Sequence, residues 1–465
     1  MSPYRVAFRT FGCRLNQAES EQAAAAFRAA GADIVSFGSP AELVVFNTCT
    51  VTSKAEQKAR RELRLALRMN PDALALATGC YAELDGPALE AIGPRVLALP
   101  GSQKGALGGL AVALAAAFAE GLDPLDEARR YLAASAGRAF DPFGWTPGDQ
   151  RHRSRAALKV EDGCDNRCTY CRVCLARGQA VSLEPALVVE RARELAALGY
   201  PEIVLTGVNL SQYRAGGLGF PGLLKLLCDE TEGVAYRISS YEPDKIDDPF
   251  LAAFALPRVR PFLHLALQSG SDAVLRAMGR AYRRERALAA ARDARAAKGG
   301  PFVSADLILG FPGEGESEFR ETMAALAELD PAWVHAFTFS PRPGTKAAAM
   351  SPRVPERLAA ERAAAVAALA RAGRRRFTER RLGAVVEAMP EFGGGDGADE
   401  AGASAGALAG EASNAAVRAL SADYLRLSVS GPNLAPELRR RGSFPCRIVA
   451  LADDPELDAY AEISP

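Results

Sequence analysis

Residues 163–178 read GCDNRCTYCRVCLARG and hold four of the chain's nine cysteines. Cys164, Cys168 and Cys171 are separated by three and then two residues, and Cys174 follows after two more. Thiolates are the usual ligands of iron–sulfur clusters, and three ligands for four irons leave one iron open to a further molecule. The alternative is a closed cluster or a structural zinc with Cys174 as fourth ligand. The spacing matches neither a bacterial ferredoxin run nor a zinc ribbon, and so favours the open site.

Apolar runs that alternate with helical patterns surround this stretch. Between residues 156 and 375 about six strand-and-helix units follow one another, with ALKVE, EIVLT, FLHLALQ and FVSADLILG among the strands. This succession predicts a full or partial β/α barrel, whose reactive groups collect on loops at the C-terminal ends of the strands. The cysteine stretch follows the first of these strands, while TGVN and GFPGE follow two others. We therefore expect all three loops at one end of a barrel domain.

A second α/β domain is predicted for residues 1–132, where four short apolar runs alternate with helical patterns. Cys13, Cys49 and Cys80 each come directly after one of these runs. In a parallel sheet the three thiols would lie at the same edge, where ligands collect in open α/β folds. They could hold a second open cluster there. The alternative is three buried, inert cysteines that pack as small hydrophobic side chains.

The rest of the chain divides into a linker and a small C-terminal module. Residues 133–155 are rich in Pro, Gly and charge without periodicity, which is typical of a linker. Residues 376–465 contain the strand-like runs YLRLSV and CRIVAL, which predict a small β module. Gly and Ala dominate residues 392–416, so we expect a flexible insertion there.

The charge balance restricts how a nucleic acid could bind. The 465 residues include 56 basic and 56 acidic side chains, so only local basic patches could hold phosphates. A solvated helix face is the alternative for any one of these patches. The three candidate patches are Arg60, Arg61, Arg64 and Arg68; Arg374, Arg375, Arg376, Arg380 and Arg381; and Arg439, Arg440 and Arg441.

The N-terminus lacks the apolar core of a secretory signal, so we expect a cytoplasmic protein with no membrane partner. Residues 106–119 form the longest apolar run, which is too short to span a bilayer and predicts a buried helix. In a reducing cytosol the clustered cysteines indicate metal or redox chemistry rather than disulfides. The three histidines, His152, His264 and His335, show no metal-ligand spacing; His264 either faces the barrel lumen or packs in the core.

A series of motifs resembles one known family. The order is TFGCRLNQAESE, NTCTVTSKAEQKAR, TGCYAE, GCDNRCTYC, EIVLTGVNLSQY, RISSYEP, LHLALQSGSDAVLRAMGRAY, DLILGFPGE and FSPRPGTKAAAM. It resembles the radical S-adenosylmethionine methylthiotransferases, and within them the MtaB-type enzymes that act on tRNA. The likeness covers about residues 4–385. The chain departs from the family at RVCL, residues 172–175, where relatives usually have Ile-Val/Ile-Pro-Tyr, and at Gly315, where they tend to have Thr.

The resemblance implies two 4Fe-4S clusters, one that cleaves S-adenosylmethionine and one auxiliary cluster that carries or delivers sulfur. The ligands of the first would be Cys164, Cys168 and Cys171, and those of the auxiliary cluster Cys13, Cys49 and Cys80. The candidate residues of the S-adenosylmethionine site are Thr206, Gly207, Asn209, Ser240, Glu242, Gln268 and Ser269. The C-terminal module would be a TRAM-like β-barrel that grips RNA.

The implied reaction uses S-adenosylmethionine as a methyl donor to sulfur and as the source of a 5′-deoxyadenosyl radical that abstracts hydrogen from an unactivated C–H bond. The implied substrate is N6-threonylcarbamoyladenosine at tRNA position 37, modified at C2. No motif identifies the sulfur source or the electron donor. Two other functions stay open: methylthiolation of an aspartate on a ribosomal protein by a RimO-type enzyme, and a non-catalytic iron–sulfur RNA-binding protein.

Overall fold

A computed structural model describes residues 4–135, 137–146, 154–391, 416–431 and 442–464. The expected insertion at 392–416 falls outside these ranges except for its last residue. The arginine patch at 439–441 and His152 also lie outside the described residues.

The N-terminal domain is a parallel five-stranded sheet in the order β2-β1-β3-β4-β5, with helices packed on it. Its elements are β1 (Arg5–Thr10), α1 (Arg14–Ala29), β2 (Asp33–Val35), β3 (Leu43–Thr48), α2 (Ser53–Met69), β4 (Leu74–Gly79), α3 (Cys80–Glu90), β5 (Val96–Ala98), α4 (Leu107–Glu120) and α5 (Pro124–Ser135). The four predicted runs are strands of this sheet. The alternation did not predict β2, a three-residue edge strand with no buried residue.

Helix α4 is half-buried rather than wholly buried. Leu110 and Leu114 are inaccessible to solvent, whereas Val112 is 64% exposed. Among the described residues, 101–120 form one helical segment that is long and apolar enough to cross a membrane, and a third of it is buried inside the protein. Length and composition alone are weak evidence for a membrane span, because core helices share them. The buried face of α4 packs on the N-terminal sheet through Tyr4, which stacks on Phe118 with ring centroids 4.4 Å apart.

The central domain is a partial β/α barrel built from two parallel sheets, β6-β9-β12 and β13-β14-β15-β16. Its elements are β6 (Ala156–Lys159), β7 (Glu161–Asp162), α6 (Val173–Arg177), β8 (Val181–Ser182), α7 (Pro185–Ala197), β9 (Glu202–Thr206), β10 (Arg214–Ala215), β11 (Leu218–Gly219), α8 (Phe220–Glu230), β12 (Ala235–Ile238), β13 (Ser240–Tyr241), α9 (Asp248–Phe254), β14 (Phe262–Gln268), α10 (Asp272–Met278), α11 (Arg284–Lys298), β15 (Phe302–Leu309), α12 (Glu316–Leu329) and β16 (Trp333–Thr338). Within the described strands, β6 and β16 remain unpaired to each other, so the barrel is open along one side.

Side-chain alternation along each strand separates a helix-facing core from a lumen. Leu263, Leu265 and Leu267 of β14 join the large core that the strands share with the helices. The intervening His264 therefore faces the lumen. The sequence left two placements open for this histidine, and the lumen is the one observed.

The C-terminal module is a closed five-stranded barrel in the order β17-β18-β19-β21-β20, as expected for a small β module. Helix α13 (Glu356–Glu379) leads into it, and its strands are β17 (Val385–Pro390), β18 (Val417–Ser421), β19 (Arg426–Ser430), β20 (Phe444–Leu451) and β21 (Ala459–Ile463). The turn before β19 carries Tyr424, whose backbone is left-handed at φ 71°.

This turn closes the lower end of the central lumen. The Tyr424 ring packs on Phe262 and Phe302, the first residues of β14 and β15, with centroids 4.5 and 5.6 Å apart. We call these three residues the lumen floor. Since strands β14 and β15 begin here, the floor lies at the end of the barrel opposite the cysteine loop.

A buried ion pair supports the floor. Arg237 and Glu202 are both fully buried, and the Arg237 Nε donates to Glu202 Oε1 at 2.6 Å. Arg237 Nη2 also donates to the carbonyl of Ala422 in the C-terminal barrel at 3.0 Å. Burial alone would raise the pKa of Glu202, but Arg237 and neighbouring arginines lower it to about 2.

Glu202→Gln is expected to destabilise the protein by about 3–5 kcal/mol near pH 7, because it leaves the buried Arg237 charge uncompensated. The folded pKa of Glu202 lies below the unfolded value of about 4.3, so this contribution is complete above that pH and is lost as the pH falls toward 2. Urea unfolding at pH 7 and pH 3 would measure both effects. Glu230→Gln, which removes an exposed partner of Arg193, is the control and should cost at most about 1 kcal/mol. Equal losses in the two variants would contradict the role of Glu202.

Candidate iron–sulfur active site

Residues 163–178 form a loop and a short helix at the C-terminal end of the first barrel strand, as predicted. We call Cys164, Cys168 and Cys171 the radical triad. They border a cavity of about 570 Å³. Asn209 Nδ2 lies 3.8 Å from Cys164 Sγ, and Arg280 Nη1 donates to Cys168 Sγ at 3.2 Å. Hydrogen-bond donors thus already point at two of the three sulfurs.

The three N-terminal cysteines meet at one edge of the parallel sheet, as their positions after strands predicted. Cys13 precedes α1, Cys49 follows β3 and Cys80 begins α3. We call them the auxiliary triad. Cys13 follows Gly12 and Cys80 follows Gly79, and both glycines have a left-handed backbone, at φ 90° and φ 96°. A Cβ on Gly12 would lie 2.6 Å from Cys49 Sγ, so only glycine permits this approach of the cysteine loops.

The electrostatics of both triads suit metal ligands. Burial raises the pKa of Cys49 and Cys171 to about 12 and that of Cys164 to about 11. Such thiols stay protonated until a metal replaces the proton, and metal binding to thiolates releases protons in this way. Three clustered thiols fit a 4Fe-4S cluster with one open iron, and at the radical triad Cys174 borders the same cavity as a fourth cysteine. When bound, such clusters supply one-electron chemistry and a site for a chelating molecule.

Arg177 joins the two triads. It lies at the end of α6, six residues after Cys171, and its Nε donates to Cys80 Sγ of the auxiliary triad at 3.3 Å. Its Nη1 bonds Glu19 and Asp162 at 2.8 and 2.9 Å. Burial alone would lower the pKa of Arg177, but these carboxylates raise it, so the side chain is a permanent cation between the domains.

A second contact between the domains involves Arg172, the first residue of the RVCL segment that departs from the family pattern. Arg172 Nη1 lies 3.3 Å from Glu56 Oε1 of α2, and Arg342 from the SPRPG segment binds the same carboxylate. Arg342 also donates to Ser53 Oγ at 2.6 Å. Arg172 therefore adds a second cation to a carboxylate that holds the N-terminal domain on the radical loop.

The loop TGVN, Thr206 to Asn209, packs directly on the radical loop. Glu161 Oε2 accepts a hydrogen bond from the Asn209 backbone N–H at 2.8 Å. A Cβ on Gly207 would lie 2.5 Å from the same oxygen. Burial raises the pKa of Glu161 to about 8. Sequence reasoning missed Glu161, which no spacing connects to a residue 48 positions away.

Glu242 and Arg280 also contact the radical loop. They make an ion pair, and Asn166 Nδ2 lies 3.4 Å from Glu242 Oε1. Arg280 also bonds Cys168, so it connects Glu242 to the radical triad. Arg280 was part of a quoted motif but was not chosen as a site residue, because its charge alone gives no hint of a sulfur partner.

The remaining predicted cofactor residues lie on two strand ends. Ser240 is in β13, beside His264 of β14. Gln268 ends β14 after an irregularity in its pairing and has a left-handed backbone at φ 62°. A non-glycine residue held in this region is strained, as occurs at functional sites. Ser269 is buried, and its hydroxyl lies 3.4 Å from that of Thr322 in α12.

The lumen contains a cluster that sequence spacing did not predict. His264, Asp306 and His335 lie on three neighbouring strands, and their potential ligand atoms are all within 4.8 Å of one another. The histidines show no metal-ligand spacing along the chain, but the fold brings His264 and His335 together with Asp306. Only strand register brings together residues 42 and 29 positions apart.

The basic patches differ in how much charge they offer. The arginines of residues 374–381 each pair with a carboxylate, although Arg375, Arg376 and Arg380 are exposed to solvent. The pairs are Arg374 with Asp458, Arg375 with Glu379, Arg376 and Arg380 with Asp330, and Arg381 with Asp423. On α2, in contrast, Arg61, Arg64 and Arg68 are exposed, while Arg60 donates to Tyr81 Oη. Helix α2 therefore presents a basic face to solvent, formed by these three arginines.

Comparison with known proteins agrees with this geometry. Residues 158–326 match the Radical SAM superfamily, and residues 5–101 match the uncharacterized protein family UPF0004. The chain is 43% identical to threonylcarbamoyladenosine tRNA methylthiotransferase MtaB of Treponema pallidum, over 83% of this chain and 91% of that protein. It is 35% identical to the Bacillus subtilis MtaB, over 83% and 84% of the two chains. It is 30% identical to tRNA-2-methylthio-N(6)-dimethylallyladenosine synthase of Erythrobacter litoralis, over 84% and 87%.

A solved structure shares the fold. The radical S-adenosylmethionine methyltransferase TsrM from Kitasatospora setae, with cobalamin and a 4Fe-4S cluster bound, has a TM-score of 0.51 and 16% identity. The match covers 74% of this chain and 77% of that one.

The partial barrel with a three-cysteine loop at the end of its first strand defines a radical S-adenosylmethionine enzyme. The second cysteine triad and the relatives narrow this class further. The chain belongs to the radical S-adenosylmethionine methylthiotransferase family, and its cofactors are S-adenosylmethionine and 4Fe-4S clusters.

Anaerobically reconstituted protein is expected to hold about eight irons, since each triad provides the ligands of one four-iron cluster. The triple variant Cys13→Ala, Cys49→Ala, Cys80→Ala should retain about half of the iron, measured by colorimetric iron analysis and Mössbauer spectroscopy. Cys228→Ala, a cysteine in α8 outside both triads, is the control and should retain all of it. Full iron retention in the triple variant would rule out the auxiliary site.

Cys174 is expected to be a neighbour of the radical triad rather than a ligand. Its Sγ lies 3.8 Å from the carbonyl oxygen of Cys171, to which it donates, within the first turn of α6. Cys174→Ala should therefore keep its iron and still release 5′-deoxyadenosine from S-adenosylmethionine under a strong reductant, measured by chromatography. Loss of both in this variant, with the matched Cys228→Ala intact, would make Cys174 a ligand.

Proposed function

We propose that this enzyme installs a methylthio group at C2 of N6-threonylcarbamoyladenosine at position 37 of tRNA. The observation that carries the proposal is the junction at Arg177, where the radical loop and the auxiliary triad meet across one buried side chain. The relatives named MtaB, at 43% and 35% identity, support the choice of nucleoside. A sulfur-carrying site beside a radical-generating site is what insertion of sulfur into a C–H bond requires.

The atoms balance with two molecules of S-adenosylmethionine. One donates its methyl group to sulfur, and the other accepts one electron and yields methionine and the radical that removes the C2 hydrogen. The C2–H bond would be replaced by a C2–S bond, the hydrogen would leave in 5′-deoxyadenosine, and the methyl donor would leave as S-adenosylhomocysteine. The auxiliary site would give up one sulfur atom, and the cluster held there by Cys13, Cys49 and Cys80 would take up the electron released when the C2 radical joins that sulfur. The role of the protein's own side chains is to position the two sites. Asn209 and Arg280 orient the radical triad, and Arg177 holds the auxiliary triad next to the radical loop.

The proposed division of labour follows the domains. Residues 1–132 hold the auxiliary cluster, residues 156–375 hold the radical cluster and S-adenosylmethionine, and residues 376–465 contribute a TRAM-like barrel, with residues 133–155 as the linker. For S-adenosylmethionine we propose the residues at the ends of strands β9, β13 and β14: Thr206, Gly207, Asn209, Ser240, Glu242, Gln268 and Ser269. We place the enzyme in the cytoplasm, where its tRNA is.

The RNA surface that the geometry favours is the basic face of α2. Arg61, Arg64 and Arg68 are exposed on it, and the helix begins at Ser53, which bonds Ser340 at the mouth of the central barrel. Phosphates held by this face would bring an anticodon loop to the junction of the two triads. The paired arginines at 374–381 offer much less charge.

Deletion of the gene is expected to remove 2-methylthio-N6-threonylcarbamoyladenosine from cellular tRNA and leave its unmethylthiolated precursor, because no acid–base residue can replace the radical step. Liquid chromatography–mass spectrometry of tRNA nucleosides measures both. The wild-type gene should restore the nucleoside, whereas a Cys168→Ala gene should not.

Two outcomes would favour the alternatives. If the methylthio nucleoside persists in the deletion strain while an aspartate of a ribosomal protein loses its methylthio group, the RimO-type function is correct. If purified protein releases no 5′-deoxyadenosine from S-adenosylmethionine and reductant, the protein is a non-catalytic iron–sulfur binder.

A further inference from the structure

The cluster of His264, Asp306 and His335 has no role in the chemistry described so far. His264 Nε2 lies 2.9 Å from Asp306 Oδ2, and its Nδ1 lies 2.7 Å from the hydroxyl of Ser304. Asp306 and His335 are direct neighbours in the register of β15 and β16. We call these three residues the lumen triad.

The lumen triad faces the inside of the barrel, just above its floor. Leu265, Leu307 and Val334, the residues that alternate with it along the strands, belong to the helix-facing core. Below the triad, Phe262 and Phe302 begin the same strands and pack on Tyr424 of the C-terminal barrel. The triad therefore lies just above the aromatic lumen floor, where Arg14 and Arg237 pack on Tyr424, at the end of the lumen opposite the radical triad.

This layer presents polar and aromatic surface to the lumen. His335 is exposed, and the Asp306 side chain is 26% exposed. Phe337, two residues along β16 toward the cysteine end, is 43% exposed and stacks on His335 with an interplanar angle of 15°. Burial would raise the pKa of Asp306, but His264 and His335 lower it, so Asp306 is a charged acceptor.

We propose that the lumen triad is the subsite for the polar N6 substituent of the target adenosine, with Phe337 as the surface on which the base stacks. This rests on the proposed function and adds to it the residues that select the nucleoside. Asp306 accepts from the N–H and hydroxyl groups of the substituent, and the imidazole of His335 bonds its carbonyl or carboxylate oxygens. A base extruded from the anticodon loop would lie between this subsite and the radical triad.

The relatives show why such a subsite would matter. Some are named for a threonylcarbamoyl nucleoside and others for a dimethylallyl nucleoside, which differ only in the N6 substituent. An apolar dimethylallyl group placed on the lumen triad would strip water from Asp306 without replacing its hydrogen bonds. Sites built from hydrogen-bonding groups reject analogues that lack the matching polar groups by large factors.

The experiment compares two anticodon stem-loops that are identical except for the N6 group, threonylcarbamoyl or dimethylallyl, with the full-length reconstituted enzyme. The wild type should prefer the first by at least about a hundredfold in kcat/KM. Asp306→Asn and His335→Leu should each raise KM for the threonylcarbamoyl substrate about tenfold or more. S-adenosylmethionine cleavage without RNA and iron content should fall much less than methylthiolation in both variants, which separates loss of the subsite from a general defect.

Thr338→Val is the matched control. It lies on the same strand as His335 but on the opposite face, paired with the helix-facing Leu309, and it is exposed. This variant should keep the wild-type KM and preference, so that a general disturbance of β16 can be told apart from loss of the subsite.

Three results would overturn the inference. One is an unchanged KM and preference in Asp306→Asn and His335→Leu while the wild type modifies the threonylcarbamoyl stem-loop. Another is a fall in RNA-independent S-adenosylmethionine cleavage equal to the fall in methylthiolation, which would show a general defect. A third is one zinc per chain that both variants lose, which would make the triad a metal site. Wild-type preference for the dimethylallyl stem-loop would instead contradict the proposed function itself.

Discussion

The buried guanidinium of Arg177 is the contact on which the arrangement of the two cysteine triads depends. This one group contacts Cys80 and Glu19 of the N-terminal domain and Asp162 next to the radical loop, so it connects the N-terminal domain to that loop. Lys159 strengthens the same network by binding both carboxylates, at 2.8 and 2.6 Å. Separating the domains would leave these buried charges uncompensated, which is costly. The network therefore fixes the relative position of the two domains.

A second constraint acts at the other end of the barrel. The C-terminal module inserts Tyr424 beneath the strands and holds it with the Arg237–Glu202 pair, which closes the lumen from below. Within the part of the chain that the structure describes, the lumen is left open toward the cysteine loops and the free side of the partial barrel. A substrate that enters would meet the lumen triad at its inner end and the radical triad at its outer end.

Much of this fold could be predicted from local pattern. Alternation of apolar runs located the strands of the N-terminal sheet and central barrel, and the position of Cys13, Cys49 and Cys80 after strands predicted their common edge. The short edge strand β2 carries too little apolar signal for such a prediction. The C-terminal barrel was predicted as a β module. Its packing against the lower end of the lumen was not predicted, because no local sequence pattern indicates that Tyr424 contacts Phe262 and Phe302.

The parts of the site that sequence reasoning missed share a physical cause. Glu161, Arg280 and the lumen triad act through partners 29 to 112 positions away, which meet only through strand register and loop packing. Arg172 was visible only as a departure from the family pattern; its meaning came from Glu56, 116 positions away in another domain. Cysteines reveal themselves by type and spacing, whereas arginines and carboxylates are too common to do so.

The most direct test of the account is an isotope transfer. An anticodon stem-loop that carries N6-threonylcarbamoyladenosine with deuterium at C2 would be incubated anaerobically with reconstituted enzyme, S-adenosylmethionine and reductant. If the radical triad and the auxiliary triad act on the same C–H bond, one deuterium should appear in 5′-deoxyadenosine for each methylthio group formed. Methylthiolated product with no deuterium in 5′-deoxyadenosine would contradict the account.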